Sequence, residues 1–176
     1  FKIYGRFRQQ LRQKNTSGLD NVITGIEDVL QRNFRLNISK NIEKYITLKS
    51  RVEYVQVQRQ SKGKESGILF TQDLSFKPKS FPVDITLRYA LFDTDSYDTR
   101  IYTYENNALY VFSIPAYYYR GSRAYILLRY SFLRSMDLWV RYGFFLYDNR
   151  NEIGSGSELI QGNRRSDLTI QLKISL

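Results

Sequence analysis

Hydrophobic and polar side chains alternate at every second position along most of the chain. The clearest case is the stretch from 167 to 176, where Leu and Ile occupy every even position between polar residues. A period of two predicts β-strands with one apolar and one polar face. Several of these segments reach the length of about ten residues that a tilted strand needs to cross a bilayer. The segments lie at 1–12, 30–39, 44–57, 67–77, 83–92, 123–132, 137–147 and 167–176.

The connections between these segments alternate in length, which is typical of outer-membrane barrels with long loops on one side and short turns on the other. Two weaker segments, 100–105 and 109–115, complete this alternation if they are strands joined at Asn106-Asn107, and the count is then about ten strands. The apolar spacing within 19–31 also suits a short helix, which stays open as an alternative. Short turns are expected near 39–43, 77–82 and 133–136, and long loops near 13–28, 59–66, 92–100 and 148–166.

Alternation does not say which face of the sheet is turned outward. A soluble barrel buries its apolar face, whereas a membrane barrel exposes that face to lipid. We favour the membrane arrangement because the polar faces repeatedly carry Arg, Gln, Asn and Thr, and because the last strand alternates to the end of the sequence. Aromatic residues also cluster where strands meet turns, as in an interfacial girdle. They are Phe76, Phe81, Tyr130, Phe132, Tyr142 and Phe144.

The sequence therefore predicts an all-β fold, an antiparallel transmembrane β-barrel in a bacterial outer membrane. Residues 1–176 form one barrel region, which we expect to be the C-terminal part of a larger barrel whose N-terminal strands, and any soluble N-terminal domain, are missing. A chain that begins at Phe1 without a leader-like segment suits a processed product or a fragment. A soluble, lipocalin-like ligand-binding barrel has a similar length and is the alternative of another class.

Composition narrows the function further. The chain has 27 Lys and Arg against 17 Asp and Glu, a formal charge of +10, and it contains neither Cys nor His. The missing residues exclude a disulfide framework, Cys or His zinc sites and a Ser-His-Asp triad. No carboxylate pair or Ser-Lys arrangement stands out, so we expect no enzymatic activity and no cofactor. No apolar run approaches the roughly 18 residues of a transmembrane helix, so crossing a membrane requires strands.

The polar faces of the predicted strands are strongly basic. A lumen lined in this way lowers the energy barrier for anions. The alternative is that these cations pair with carboxylates elsewhere in the assembly and form a sealed polar core. The cations assigned to the lumen are Arg6, Arg8, Arg12, Arg35, Lys49, Arg51, Arg88, Arg129, Arg141 and Lys173.

Two loop features carry candidate chemistry. Asp93, Asp95 and Asp98 are weak candidates for Ca²⁺ ligands, because carboxylates at short spacing bind Ca²⁺ but this loop lacks the Gly and the distal Glu of an EF-hand. A solvated turn is the alternative.

Tyr and Arg interleave over the following residues, which suits stacking on bases or sugars, or a protein-binding surface; loop packing beside an aromatic belt is the alternative. The candidate loop surface consists of Tyr97, Arg100, Tyr117, Tyr118, Tyr119, Arg120 and Arg123.

The stretch from Leu87 to Gly143 resembles the C-terminal β-rich region of bacterial helix-hairpin-helix domain-containing proteins. The resemblance covers about 83–176 and rests on ALFDTDSYDTRIYTYEN, FSIPAYYYRGSR and the terminal strand. Residues 1–80 match only by pattern. The helix-hairpin-helix portion is absent from this sequence, so no DNA-binding residue is carried over, and nucleic acid would be a partner only through an absent N-terminal domain.

We therefore expect a porin-like integral outer-membrane protein that acts as a conduit, for which the basic lumen favours anionic cargo, or as a scaffold subunit of an envelope complex. A closed structural barrel that anchors a soluble N-terminal domain is the alternative within the membrane class. The expected partners are membrane lipid and lipopolysaccharide, together with other envelope proteins.

Overall fold

The protein is all-β. The computed structural model describes residues 1–17 and 23–175, strands make up 72% of it, and the described residues contain no α-helix. The two helical segments, Tyr97–Thr99 and Gly156–Glu158, are single 3-10 turns. Among the described residues no helix is long and apolar enough to cross a membrane.

Eight long strands form one antiparallel sheet in which sequential strands are neighbours. The sheet runs in the order β1-β2-β3-β4-β5-β8-β9-β12 and is not closed, so β1 and β12 are its two edges. Two small hairpins lie outside it, β6 (Ile101–Tyr102) with β7 (Ala116–Tyr117) and β10 (Glu152–Ile153) with β11 (Ile160–Gln161). The long strands are β1 (Lys2–Ser17), β2 (Ile23–Glu43), β3 (Ile46–Arg59), β4 (Gly63–Phe76), β5 (Val83–Thr94), β8 (Arg120–Leu133), β9 (Met136–Tyr147) and β12 (Arg164–Ile174).

The predicted pair of strands at 100–105 and 109–115 is wrong. β5 pairs directly with β8, with Asp93 opposite Arg120, and nothing is inserted between them. The intervening residues fold back as a hairpin, in which Glu105 forms an isolated bridge with Ser113. The alternation that suggested strands there is real, but it arises because one side of this hairpin lies against the sheet.

The predicted long loop at 13–28 is also wrong for most of its length, because β1 and β2 continue through it. Lys14 pairs with Glu27 and Asn15 with Ile26 in the antiparallel ladder. The helix considered for 19–31 is excluded over 23–31, which belongs to β2, while 18–22 lie outside the described residues. These strand ends carry polar side chains on both faces, so they lack the apolar–polar alternation that predicts a strand. Backbone pairing does not require an apolar face, and the strands therefore continue.

The two faces of the sheet differ: many apolar side chains of one face are exposed, whereas the other face buries both charged residues and apolar ones such as Phe92. We call the side that carries the 97–117 segment the inner face and the opposite side the outer face. On the outer face Leu91 and Ile126 are 48% and 37% exposed, whereas on the inner face Arg123 and Arg141 are each 2% exposed. A soluble barrel keeps its apolar side chains on the inner face, whereas here apolar side chains lie on both faces and many of those on the outer face are exposed.

The apolar side chains of the outer face form a belt, which the hydrogen-bonded polar pairs Ser50–Gln72 and Gln9–Arg32 interrupt. Along β5 every second residue from Val83 to Leu91 is apolar, a rise of about 26 Å at roughly 3.3 Å per residue. A tilt of about 40° would reduce this height to about 20 Å, close to the apolar band of outer-membrane barrels. Charged residues border the belt, with Asp93 and Arg120 at the loop end and Lys77 and Lys79 at the turn end.

Aromatic rings mark the turn end of this belt. Tyr45 packs edge-on against Phe76, with ring centroids 5.6 Å apart, and Tyr130 lies 5.8 Å from Phe132. Phe81, in the turn before β5, is also exposed. The predicted girdle residues Tyr142 and Phe144 instead lie nearer the loop end of the sheet, because β9 begins at Met136 at the turn end.

Candidate functional site on the inner face

A hairpin of residues 97–117, here called the inward hairpin, covers the inner face of the central strands. It begins at the 3-10 turn Tyr97–Thr99, where the Ser96 side chain accepts a hydrogen bond from the Asp98 amide. Side chains then alternate: Thr103 and Glu105 are buried against the sheet, whereas Tyr102 and Tyr104 are exposed on the other side. The hairpin therefore has a buried polar side and an exposed aromatic side.

The root of the inward hairpin is anchored by packed aromatic rings. Tyr117 is fully buried and its ring meets Phe92 and Phe145 at centroid distances of 5.4 Å each. Phe145 stacks on Tyr147 at 5.8 Å. Burial raises the pKa of the Tyr117 phenol well above its usual value, and the neighbouring Glu105 carboxylate adds to this effect. This phenol consequently remains a hydrogen-bond donor.

The centre of the inward hairpin is held by a buried carboxylate, Glu105, which is 0% exposed. It accepts hydrogen bonds from the Tyr117 hydroxyl at 2.6 Å and from Arg123 Nε and Nη2 at 3.1 and 3.0 Å. Arg141 donates to the same carboxylate, and both arginines also pair with Asp167. Two guanidinium groups and two carboxylates thus neutralise one another, and we call these four residues the Glu105 cluster.

Two further arginines attach the inward hairpin to the sheet. Arg88 forms a bidentate pair with Asp73, with both N–O distances 2.6 Å, and donates to the Tyr104 carbonyl at 2.6 Å. Arg51 donates to the Thr103 hydroxyl at 2.5 Å and pairs with Glu53. The N–H groups of both cations therefore hold the hairpin; Asp73 compensates the charge of Arg88, whereas Arg51 shares Glu53 with Arg35.

The structure places all the cations assigned from the sequence on the inner face, but in two different environments. Arg35, Arg51, Arg88, Arg129 and Arg141 each pair with a carboxylate of this chain. The remaining ones have no carboxylate within 4 Å in the described part of the chain. They are Arg6, Arg8, Arg12, Lys49 and Lys173.

The unpaired arginines of β1 line a cleft of about 360 Å³ between the first strands and residues 98–102. Among the described residues, Arg8 donates to the Gln10 amide oxygen at 3.1 Å and Arg12 to that of Gln31 at 2.5 Å. Across the cleft, Arg100 stacks on the Tyr97 ring at 4.1 Å. Cations outnumber acids in this lining, so we call it the cationic cleft.

A second cavity, of about 280 Å³, lies at the turn end of the inner face. Its polar groups largely satisfy one another: Asp137 accepts hydrogen bonds from Arg129 and from the Ser131 hydroxyl. The Arg129 guanidinium also lies over the Trp139 ring at 5.4 Å. Its lining also contains Lys77 and Lys173, which have no carboxylate within 4 Å among the described residues, so this cavity is also net cationic.

The three loop aspartates do not form a metal site. Asp98 pairs with Arg59 at 2.6 Å, Asp95 accepts hydrogen bonds from Ser66, and Asp93 faces Arg120 at 4.0 Å. Their carboxylates point to different partners, and no group of three metal-ligating acids occurs among the residues that the structure describes. Desolvation tends to raise the pKa of Asp98, but the surrounding cations, Arg59 first, outweigh it and lower that pKa.

The candidate loop surface is split by the fold. Tyr117 and Arg123 are buried in the interior, so they cannot contribute to an exposed surface; this part of the prediction is wrong. The buried side of Tyr117 could not be read from a run of three tyrosines, whereas Arg123 shares the phase of Arg129 in the predicted segment 123–132, which indicated the inner face. Tyr97, Arg100, Tyr118, Tyr119 and Arg120 lie at the loop end, where Arg150 adds a guanidinium 3.9 Å over the Tyr119 ring.

Sequence reasoning missed Glu105, although a signal was present. Glu105 is the lone acid between Asp98 and Asp137, in a stretch that contains several arginines. An isolated acid among basic and aromatic residues is expected to be paired when buried, because an unpaired buried charge is costly. Its partners, however, come from β7, β8 and β9, and pairing over that distance is decided by the tertiary fold.

Comparisons of this chain with protein-family models, with curated proteins and with solved structures found no match. The likeness to helix-hairpin-helix proteins therefore remains an expectation from the sequence.

Proposed function

We propose that this protein is part of an integral β-barrel of a bacterial outer membrane whose interior favours the passage of anions. The observation that carries the proposal is the direction of the side chains, with an apolar outer belt and buried ion pairs on the inner face. Lipid solvates the first and cannot solvate the second, so the arrangement suits a bilayer. In water the same belt would be an exposed apolar patch far larger than monomeric proteins tolerate.

The open edges fit the same proposal. The outward backbone groups of β1 and β12 have no strand partner within the described residues. Each unsatisfied backbone group costs several kcal/mol in a hydrocarbon environment, so a membrane sheet must close. We propose that further strands complete a larger barrel between these two edges, as the sequence resemblance also implies.

The division of the inner face bears on the proposed conduit. The Glu105 cluster holds the inward hairpin over the central strands, and the hairpin blocks solutes on that part of the inner face. The cationic cleft along β1 stays open, and its uncompensated arginines lower the barrier for anions and raise it for cations. A barrel without conductance, serving as a scaffold for an envelope complex, is the second candidate, and the firm anchoring of the hairpin favours it.

Membrane insertion is tested by placing a charge in the outer belt. Ile126→Arg should lower the free energy of unfolding in lipid bilayers by about 2–4 kcal/mol, the cost of Arg at mid-depth on a lipid-facing strand. Asn151→Arg, in an exposed loop, is the control and should change little. If the protein stays monodisperse in detergent-free buffer and Ile126→Arg has no effect, the membrane proposal is wrong.

The conduit is tested by reversal potentials of the purified protein in planar bilayers under a KCl gradient. We expect anion selectivity, which should decrease when Arg6, Arg8 and Arg12 are changed together to Gln. The matched control replaces Lys40, Lys44 and Arg134, at the turn end, with Gln and should retain the selectivity. Cation selectivity contradicts the anion conduit, and the absence of any conductance favours the scaffold.

A further inference from the structure

A notch interrupts the apolar belt at Ala124. The backbone register places Tyr89 of β5 and Phe144 of β9 on either side of this alanine, all three on the outer face. Leu87 and Tyr142 continue the two walls towards the turn end, where Ile126, on the same strand as Ala124, closes the notch, which encloses about 400 Å³. Because alanine ends at Cβ, the two flanking aromatic rings stand above a floor of one methyl group.

The dimensions of the notch suit a single hydrocarbon chain. Tyr89 and Phe144 are separated by two strand spacings, about 9.6 Å. A chain placed midway would lie about 4.8 Å from each wall at its base, close to the roughly 4 Å at which carbon atoms attract one another best. The lining is largely apolar, with Gln72 and Arg88 as its polar members.

A cation stands beside one wall of the notch. Arg164, at the start of β12, donates to the Tyr142 hydroxyl at 2.7 Å and lies over the Phe144 ring at 4.8 Å. Within the described chain it has no carboxylate within 4 Å, whereas Arg120, at the same end of the sheet, lies 4.0 Å from both Asp93 and Asp148. Arg164 therefore keeps free N–H donors and an uncompensated charge at the loop end of the belt.

We propose that the notch and Arg164 form a binding site for lipid A, the phosphorylated lipid of lipopolysaccharide. One acyl chain lies between Tyr89 and Phe144 above Ala124, and a phosphate accepts hydrogen bonds from the Arg164 guanidinium. Lipid A occupies the leaflet on the side of the long loops, which is where Arg164 lies. Guanidinium groups bind phosphate oxygens through paired hydrogen bonds, which supplies the headgroup recognition.

This inference rests on the proposed membrane location but not on the conduit. The walls come from β5, β8 and β9, which all have neighbours on both sides, so whatever completes the barrel at its edges leaves the notch unchanged.

The test measures lipid A retained by the purified protein, by native mass spectrometry of detergent-solubilised samples, against enzymatically dephosphorylated lipid A with the same acyl chains. We expect one lipid A to be retained, and the dephosphorylated form to bind about tenfold or more weakly, since a hydrogen bond to a charged group contributes about 1.5–3 kcal/mol. Arg164→Gln should lose the same factor for lipid A and show no further loss for the dephosphorylated lipid. Arg134→Gln, at the opposite end, is the matched control.

The acyl-chain part is tested by Ala124→Phe, which fills the notch and should reduce retention of both lipids. Val140→Phe also places an aromatic ring on the outer face, but away from the notch, and should retain both lipids. Equal binding of the two lipids, or wild-type retention by Arg164→Gln or Ala124→Phe, overturns the site. If the lipid site fails these tests but the protein still inserts into bilayers, the membrane proposal stands. If the protein does not insert into bilayers, the membrane proposal is refuted.

Discussion

Replacing Glu105 with Gln tests whether the Glu105 cluster anchors the inward hairpin. The amide keeps the size of the side chain and one acceptor oxygen for the Tyr117 hydroxyl. It places an NH₂ group where a carboxylate oxygen now accepts from Arg123 and Arg141. Those two guanidinium groups, each 2% exposed, would then share only Asp167, whose side chain is 43% exposed. A buried positive charge is left without compensation.

Removing one partner of a buried ion pair costs about 3–5 kcal/mol. The sheet itself does not depend on this contact, because β5 and β8 pair directly from Val83 to Asp93. The loss should therefore appear as opening of the inward hairpin rather than as unfolding of the sheet. At about 1.4 kcal/mol per factor of ten, the population of the open hairpin should rise by about two to three and a half orders of magnitude.

Amide hydrogen exchange of the detergent-solubilised protein measures this opening. The Asn106 amide donates to the Tyr125 hydroxyl at 3.1 Å, and its protection from exchange should fall by about two to three and a half orders of magnitude. The amide of Leu69 in β4 should keep its protection. Glu158→Gln, in an exposed loop, is the control. A change of less than tenfold at Asn106, or an equal loss at Leu69, would refute the assignment of Glu105 as a local anchor.

Two further predictions concern pH and packing. Because the pKa of Asp98 is lowered in the folded protein, its ion pairs stabilise the fold fully above the usual aspartate pKa, and this stabilisation is lost as the pH falls through the lowered pKa. The turn at 97–99 should therefore loosen below about pH 4. The NMR chemical shifts of the amides in this turn should follow the titration, and Asp98→Asn should abolish the pH dependence. A Cβ at Gly143 would lie 2.9 Å from an Arg123 nitrogen that the Glu105 cluster holds in place, so Gly143→Ala should destabilise the protein by about 1–3 kcal/mol in urea unfolding. Gly5→Ala, where no described atom lies within 4 Å, should be nearly neutral, and equal effects of the two changes would contradict the crowding argument.

Local periodicity was sufficient to predict the strands of the sheet's second half. The predicted segment 83–92 corresponds to β5 (Val83–Thr94), and 137–147 to β9 (Met136–Tyr147). It failed where the chain is extended without joining the sheet, as at 100–105. A hairpin with one side buried shows the same alternation as a strand inside a sheet, so periodicity cannot distinguish the two.

The sequence by itself determined that this chain is all-β and that the cations share the polar faces of its strands, because a period of two separates the two faces whatever the strands pair with. Only the tertiary structure decided which of those cations are compensated. Arg141 meets Glu105 and Asp167 across three parts of the chain, whereas Arg12 lies on an edge strand and meets only an amide oxygen. Ion pairing depends on distances between groups that are far apart in sequence, and only the strand order and the inward fold of residues 97–117 set those distances.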